Sequence, residues 1–214
     1  MKIGIITCGA LVRELVAIAK RQGWDFALTA VPAQLHNHPE RIAGAVATKI
    51  DAWAGQFDLI LIGYADCGTA GALDVLVARY EHVVRISGPH CYEFFGGEAF
   101  TRHNETHLGT FYLTDFLARH FDGLVWKGLG LDRYPQLRDL YFGNYTHLLY
   151  LQQLPEQDES ARAQAAAARL GLTYVHLNPG LATLEARLVA LVTEFRLRRQ
   201  VAPQATLAEV LPLL

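Results

Sequence analysis

The sequence predicts an α/β fold, a mainly parallel sheet in three layers with helices on both faces. Three observations predict it. Continuous apolar runs such as Leu59-Ile60-Leu61-Ile62 lack polar alternation, as strands do when both sheet faces are covered. Segments with helical periodicity separate those runs, and strand–helix alternation builds parallel sheets through right-handed crossovers. The 214 residues are 51% hydrophobic and 19% charged, the balance of a globular chain able to bury a sizeable core.

Residues 1–7 read as a buried first strand, and Leu11, Leu15 and Ile18 with Val12 give an amphipathic helix that ends near Gly23. Residues 26–31 form a second strand. Pro39-Glu40 opens a helix with Ile42, Val46, Ile50 and Trp53 on one face, proline being favoured in a first helical turn. Residues 59–64 are the clearest strand, 73–80 a helix and 83–86 another strand. Residues 92–104 read as a helix broken by Gly96-Gly97, 109–113 as a short strand and 114–120 as a helix. The glycine- and aromatic-rich stretch 123–145 shows no period. Strands at 147–151 and 173–177 bracket an alanine-rich helix over 156–170. Leu181, Leu184, Leu188, Leu191 and Phe195 stripe a last helix. This order is Rossmann-like, a doubly wound pattern without repeats or linkers, and one compact domain over 1–214 is the simplest organisation, with a possible subdivision near residue 105.

A net charge of -2 excludes the basic footprint of a nucleic-acid binder. No window approaches the roughly 18 uninterrupted apolar residues of a membrane-spanning helix. No secretory signal is visible, and an odd cysteine count argues against a disulfide framework. A cytoplasmic protein with reduced thiols is expected.

The three cysteines, Cys8, Cys67 and Cys91, each follow a strand-like run. A free cysteine is often a small buried hydrophobe. Their joint placement favours a site, because the carboxyl ends of successive strands in an open sheet line one edge, where ligands bind. Three thiolates can hold zinc with a histidine or water as fourth ligand, or three irons of a [4Fe-4S] cubane. The spacing matches no Cys-x-x-Cys knuckle. His36 and His38 lie beyond the second strand on the same edge. If that segment is extended, only one of them faces the site. His90, His103 and His107 are weaker ligands on position.

Gly9 and Gly68 each follow a cysteine, where a missing side chain lets backbone approach a bound group. With Thr69 they are the candidate cofactor-binding residues, although Thr69 would equally cap a helix. The loop from Gly63 to Gly71 follows a strand and precedes a helix, so residues 68–71 offer an alternative as a phosphate or nucleotide cradle. It lacks a P-loop lysine and does not match Gly-x-Gly-x-x-Gly. Among the acids on that edge, Glu40 is explained by the helix dipole. Asp66, beside Cys67, is the candidate catalytic acid or base.

The segments Cys8-Gly9-Ala10-Leu11, Leu35-His36-Asn37 with Pro39-Glu40, Gly63-Tyr64 with Cys67-Gly68, and Pro89-His90-Cys91 occur in an order that resembles the DUF1638 domain family of uncharacterised prokaryotic proteins. Gly109-Thr-Phe-Tyr-Leu-Thr114 resembles that family's Thr-Tyr-Tyr-Thr-Pro-like segment. The likeness spans most of the chain and is strongest before residue 115. Here Cys91 directly follows His90, where relatives are expected to read His-Asp-Cys. The resemblance picks out Cys8, His36, Cys67 and Cys91. It also implies, from members encoded among corrinoid-dependent methyl-transfer systems, metal-assisted one-carbon chemistry or an accessory role.

The resulting expectation is a metal centre held by Cys8, Cys67 and Cys91, with His36 as a candidate fourth ligand, zinc slightly favoured and a [4Fe-4S] cluster the alternative. The partners expected are a small-molecule substrate or a corrinoid methyl-transfer protein. A metal-dependent methyltransferase or lyase, a non-catalytic metal or corrinoid accessory protein, and a nucleotide-binding regulator are the functions left open. The Leu207 to Leu214 tail and the apolar stripe offer surfaces for a possible homodimer.

Overall fold

The computed structural model describes residues 1–201. Strands β1 (Lys2–Cys8), β2 (Asp25–Val31), β3 (Leu59–Gly63) and β4 (Val83–Arg85) form one parallel sheet in the order β2-β1-β3-β4. Its centre is apolar because β1 and β3 are covered on both faces: Ile3, Ile5, Ile6 and Leu59 to Ile62 are all fully buried. Ile5 stands opposite Leu28 of β2 and Leu61 of β3.

The crossovers are α1 (Val12–Arg21), α2 (Ile42–Ala52) and α3 (Ala72–Val77). From β1 the chain runs to one side to β2 and then back across to β3 and β4. With right-handed crossovers, α1 therefore covers one face and α2 with α3 the other. Gly63 is required for this packing, since a Cβ there would lie 2.4 Å from Leu15 Cδ1 of α1.

After β4, helix α4 (Tyr92–Thr106) leads to a second parallel sheet. Its strands β5 (Thr110–Thr114), β6 (His147–Leu151) and β7 (Thr173–Leu177) pair in chain order. Helix α4 is kinked at Gly97, whose φ of 50° is open to glycine, at the Gly96-Gly97 break expected from sequence. The other elements are α5 (Asp115–Arg119), capped by the Thr114 hydroxyl, a π-turn over Asp122–Trp126, α6 (Leu137–Phe142), α7 (Ser160–Leu170) and α8 (Ala182–Val201).

The parallel α/β architecture is the one the sequence predicts, with its strands divided between two sheets. Helix α8 follows the last strand of the second sheet but packs on the first. Leu184 and Leu188 are fully buried in the first core. Glu185 of α8 accepts hydrogen bonds from Arg21 and Gln22 at the end of α1, each at 2.7 Å. The tail at 207–214 lies outside the described residues. Among the described residues, no helix is long and apolar enough to cross a membrane.

Candidate functional site

In the order β2-β1-β3-β4 the connections that leave β1 and β3 run toward opposite sides of the sheet, so the crevice beyond the carboxyl ends of β1 and β3 is the topological switch point where such sheets bind ligands. Cys8 is the last residue of β1. Its sulfur accepts a hydrogen bond from the Ala10 amide at 3.3 Å, which starts the 3-10 turn Gly9–Leu11. Cys67 lies in the loop that leaves β3, and Cys91 is the residue that caps α4.

Backbone pairing joins the two loops. The Asp66 and Cys67 amides donate to the Gly88 and Pro89 carbonyls, both at 2.9 Å. Cys67 adopts a left-handed φ of 48°, followed by Gly68 at 83°, Ala70 at 50° and Gly71 at 83°. Two non-glycine residues in that region are a local cost, of the kind concentrated at functional loops.

Burial is the first cause acting on each of the three thiols. Burial, followed by Cys8 and Asp66, pushes the Cys67 thiol up to about 12, against the Cys91 and Ala65 amides that support its thiolate. The Cys91 thiol is raised well above its ordinary value by burial, then by Cys67 and Cys8. Burial also raises Cys8, while the Ala10 amide and the Tyr64 hydroxyl oppose the rise. Burial thus favours the neutral thiol over the thiolate at each of the three.

His36 lies in a 3-10 turn, Ala33–Asn37, and not in the extended segment expected from sequence. The Pro32 and Leu35 carbonyls close this turn and the next, so alternation along a strand does not decide which histidine faces inward. The His36 ring stacks on Tyr64 with centroids 5.6 Å apart, and Nδ1 lies 4.0 Å from Cys8 Sγ. Nδ1 also donates to the Ala33 carbonyl at 2.8 Å. That bond leaves Nε2 as the free lone pair, the arrangement common for metal-ligating histidines. His38 and His90 are exposed beside Glu40 and Glu93, at 3.6 and 3.8 Å. His103, His107 and His147 pack against one another, with centroids 4.5 Å apart for the first pair and 4.6 Å for the second.

Asp66 turns its carboxylate onto its own loop. It accepts from the Thr69 hydroxyl at 2.7 Å, the Gly71 amide at 2.8 Å and the Ala70 amide at 3.2 Å. These bonds, led by Thr69, hold its carboxyl below the usual carboxylate range. The donors that would meet a phosphate at residues 69–71 are therefore engaged, and α3 is capped by Gly71 and not by Thr69. Gly68 faces Pro39, with a built Cβ 3.4 Å from the proline Cβ. Gly9 is held small by backbone, since its Cβ would lie 3.3 Å from both the Val31 oxygen and the Ala33 nitrogen.

Two further side chains were not singled out from sequence. Tyr64 is fully buried and its hydroxyl has no hydrogen-bond partner among the described residues. Glu14, on α1, is 3% exposed with Oε2 unpartnered. Burial raises its carboxyl to about 7, with Asp115 adding and Arg13 and Arg119 opposing. The signal for Glu14 is its register: it falls within the stripe of Leu11, Leu15 and Ile18, where a charged residue is unexpected. Among the described residues, no group of three or more His, Cys, Asp or Glu side chains is placed so that it could hold a metal ion. The four expected ligands share an edge without converging their donor atoms.

No curated protein and no solved structure matches the chain significantly. A family model described as "Protein of unknown function (DUF1638)" matches residues 30–188, a span that takes in His36, Tyr64, Cys67 and Cys91. With that match covering well over half of its length, the chain belongs to the DUF1638 family.

Proposed function

We propose that Cys8, Cys67 and Cys91 bind a metal ion at the carboxyl edge of the first sheet, with His36 Nε2 as the fourth ligand or the neighbour of an open position. The observation that carries this reading is the gathering of all three cysteines of the chain, from three separate strand ends, at the switch point of one sheet. A backbone amide supports one of the sulfurs: the Ala10 N–H bonds Cys8 at 3.3 Å. Such N–H donors stabilise thiolates, the form that ligates metal.

Binding would displace the thiol protons and draw the sulfurs together by rotation about cysteine χ1 between staggered wells. The donor set of three sulfurs and one imidazole suits tetrahedral zinc, and three sulfurs alone suit an iron–sulfur cubane with one open iron. Zinc is the preferred occupant because the imidazole is already oriented by Ala33. Bound there, it would supply a Lewis acid able to activate a substrate thiol or water.

Within this reading the protein serves metal-assisted methyl or one-carbon transfer on a small molecule. A corrinoid-bearing protein is the proposed partner, as the family resemblance implies. The chain's own residues would orient the centre: His36 through its bond to Ala33, Cys67 and Cys91 through paired loops, and Asp66 by fixing the turn after Cys67. The nucleotide reading has less support, because Asp66 already fills the cradle at 69–71.

Single Cys8→Ser, Cys67→Ser and Cys91→Ser variants, loaded with zinc or reconstituted anaerobically with iron and sulfide, test the ligand set. Each is expected to lose most of the metal retained by the parent after gel filtration. Full retention in any one removes that cysteine from the site.

A further inference from the structure

Three histidines cluster at the amino-terminal edge of the second sheet. His103 and His107, one helical turn apart near the end of α4, stack with centroids 4.5 Å apart and an interplanar angle of 11°. The ring of His147, the first residue of β6, meets His107 edge-on at 4.6 Å and His103 at 6.1 Å. Each ring also touches a threonine hydroxyl. Thr106 Oγ1 reaches the Arg102 carbonyl at 2.9 Å and His107 Nδ1 at 2.8 Å. Thr110 Oγ1 reaches the His107 carbonyl at 2.7 Å and His103 Nε2 at 3.1 Å. Thr146 Oγ1 reaches the Gly109 carbonyl at 3.3 Å and His147 Nδ1 at 2.8 Å. A hydroxyl has one proton and a carbonyl only accepts, so both contacts form when each threonine donates to its carbonyl and accepts the imidazole N–H. One N–H per ring is thus engaged, and the second proton of an imidazolium would meet no acceptor among the described residues.

The surroundings supply no counter-charge to the cluster. Burial, then His107 and His147, hold the His103 imidazole below its ordinary value, and no carboxylate among the described residues opposes them. On α4, Arg102 and Glu105 are exposed. Tyr112 of β5 donates its hydroxyl to Asn104 at 2.8 Å, and β7 places Thr173 opposite His147. The end of α4 favours one positive charge through its free carbonyls. A second, on a ring stacked 4.5 Å away, meets like-charge repulsion.

Beyond the Gly97 kink, Phe100, His103 and His107 share the helix face turned to β5 and β6, with Phe100 buried on Leu149 and Leu151. Glu98, Thr101, Arg102 and Glu105 share the opposite face and border a cleft of about 590 Å³ against Arg187 of α8. These last turns are therefore held from one side, with space on the other. We propose that His103, His107 and His147 form an acid-sensitive clasp: neutral, they hold the end of α4 on the start of β5 and β6, and on protonation they part and free it. The released His103 recovers its ordinary value of 6.5 and takes up a proton that the closed cluster resists. The clasp keeps its full strength above that value and loses it as pH falls below.

Hydrogen–deuterium exchange of the full chain, read one pH unit above and one below 6.5 and corrected for intrinsic exchange rates, tests the clasp. On the acid side, protection of residues 103–109 is expected to fall on the order of 10-fold for each proton that the closed cluster excludes. The β3 amides at 59–63 should keep theirs. His107→Gln, which removes the ring common to the two closest pairs, and His103→Gln, which removes the ring most resistant to protonation, should each lessen the fall. Equal protection of 103–109 at the two pH values in the parent would overturn the inference. So would an undiminished fall in both variants, or a fall shared equally by β3, which marks general acid unfolding.

Discussion

The Cys67 amide donates to the Pro89 carbonyl at 2.9 Å, two residues before Cys91. Loops that leave β3 and β4 are thus joined by backbone, and Cys8 ends β1 on the same edge of the sheet. Three positions distant in sequence reach one edge because parallel strands end on the same side.

The left-handed Cys67, at φ 48°, makes a prediction about backbone strain. A side chain in that region costs about 1–2 kcal/mol, a penalty glycine escapes. In metal-free protein, Cys67→Gly is expected to exceed Cys67→Ala in stability by about 1 kcal/mol on urea denaturation, though both lose the thiol. Equal stability of the two variants would show that the loop carries no strain at this residue.

Glu14 makes a prediction about pH. Its ordinary value is 4.5 and burial raises it to about 7 in the fold. The unfolded chain therefore releases this proton first, so stability is complete below 4.5, falls as pH rises between the two values, and stays reduced above 7. A gap of that size corresponds to roughly 3 kcal/mol. Glu14→Gln should remove most of this loss, so that urea midpoints at pH 5 and pH 8 move closer together than in the parent. An unchanged gap would mean that Glu14 is ionised in the fold without penalty.

Much of this fold was legible because strand and helix periods are local. The buried runs at β1, β3 and β6 announce themselves, and Gly96-Gly97 marks the α4 kink. Pairing is not local: nothing in the period of residues 110–114 says that β5 starts a second sheet, or that α8 returns to the first. The site was legible as a list of cysteines at strand ends. Its supports were not. Cys67 is not a glycine, so its positive φ left no trace, and Glu14 offers only its register among Leu11, Leu15 and Ile18 as a sign of burial. The His36 ring stacks on Tyr64, a contact across 28 residues that no short motif encodes.

Asp66 stood out in the sequence as an acid or base, while its bonds to Thr69, Ala70 and Gly71 give it a loop-holding geometry. The two roles separate by substitution. Asp66→Asn keeps one carbonyl acceptor for the loop, whereas Asp66→Ala leaves its donors unpaired at a cost of about 1–3 kcal/mol. Loop-holding predicts that Asn retains most stability and metal content and Ala loses both. If Asn and Ala lose metal equally with no difference in stability, loop-holding is wrong.

The central claim, that the three thiols hold a metal, is tested most directly by elemental analysis and visible absorption of anaerobically purified protein. The account predicts about one zinc per chain in colourless protein, or iron and sulfide with absorption near ~400 nm if a cluster is the occupant. Metal well below one equivalent, with no uptake on adding zinc or on iron–sulfide reconstitution, would contradict it.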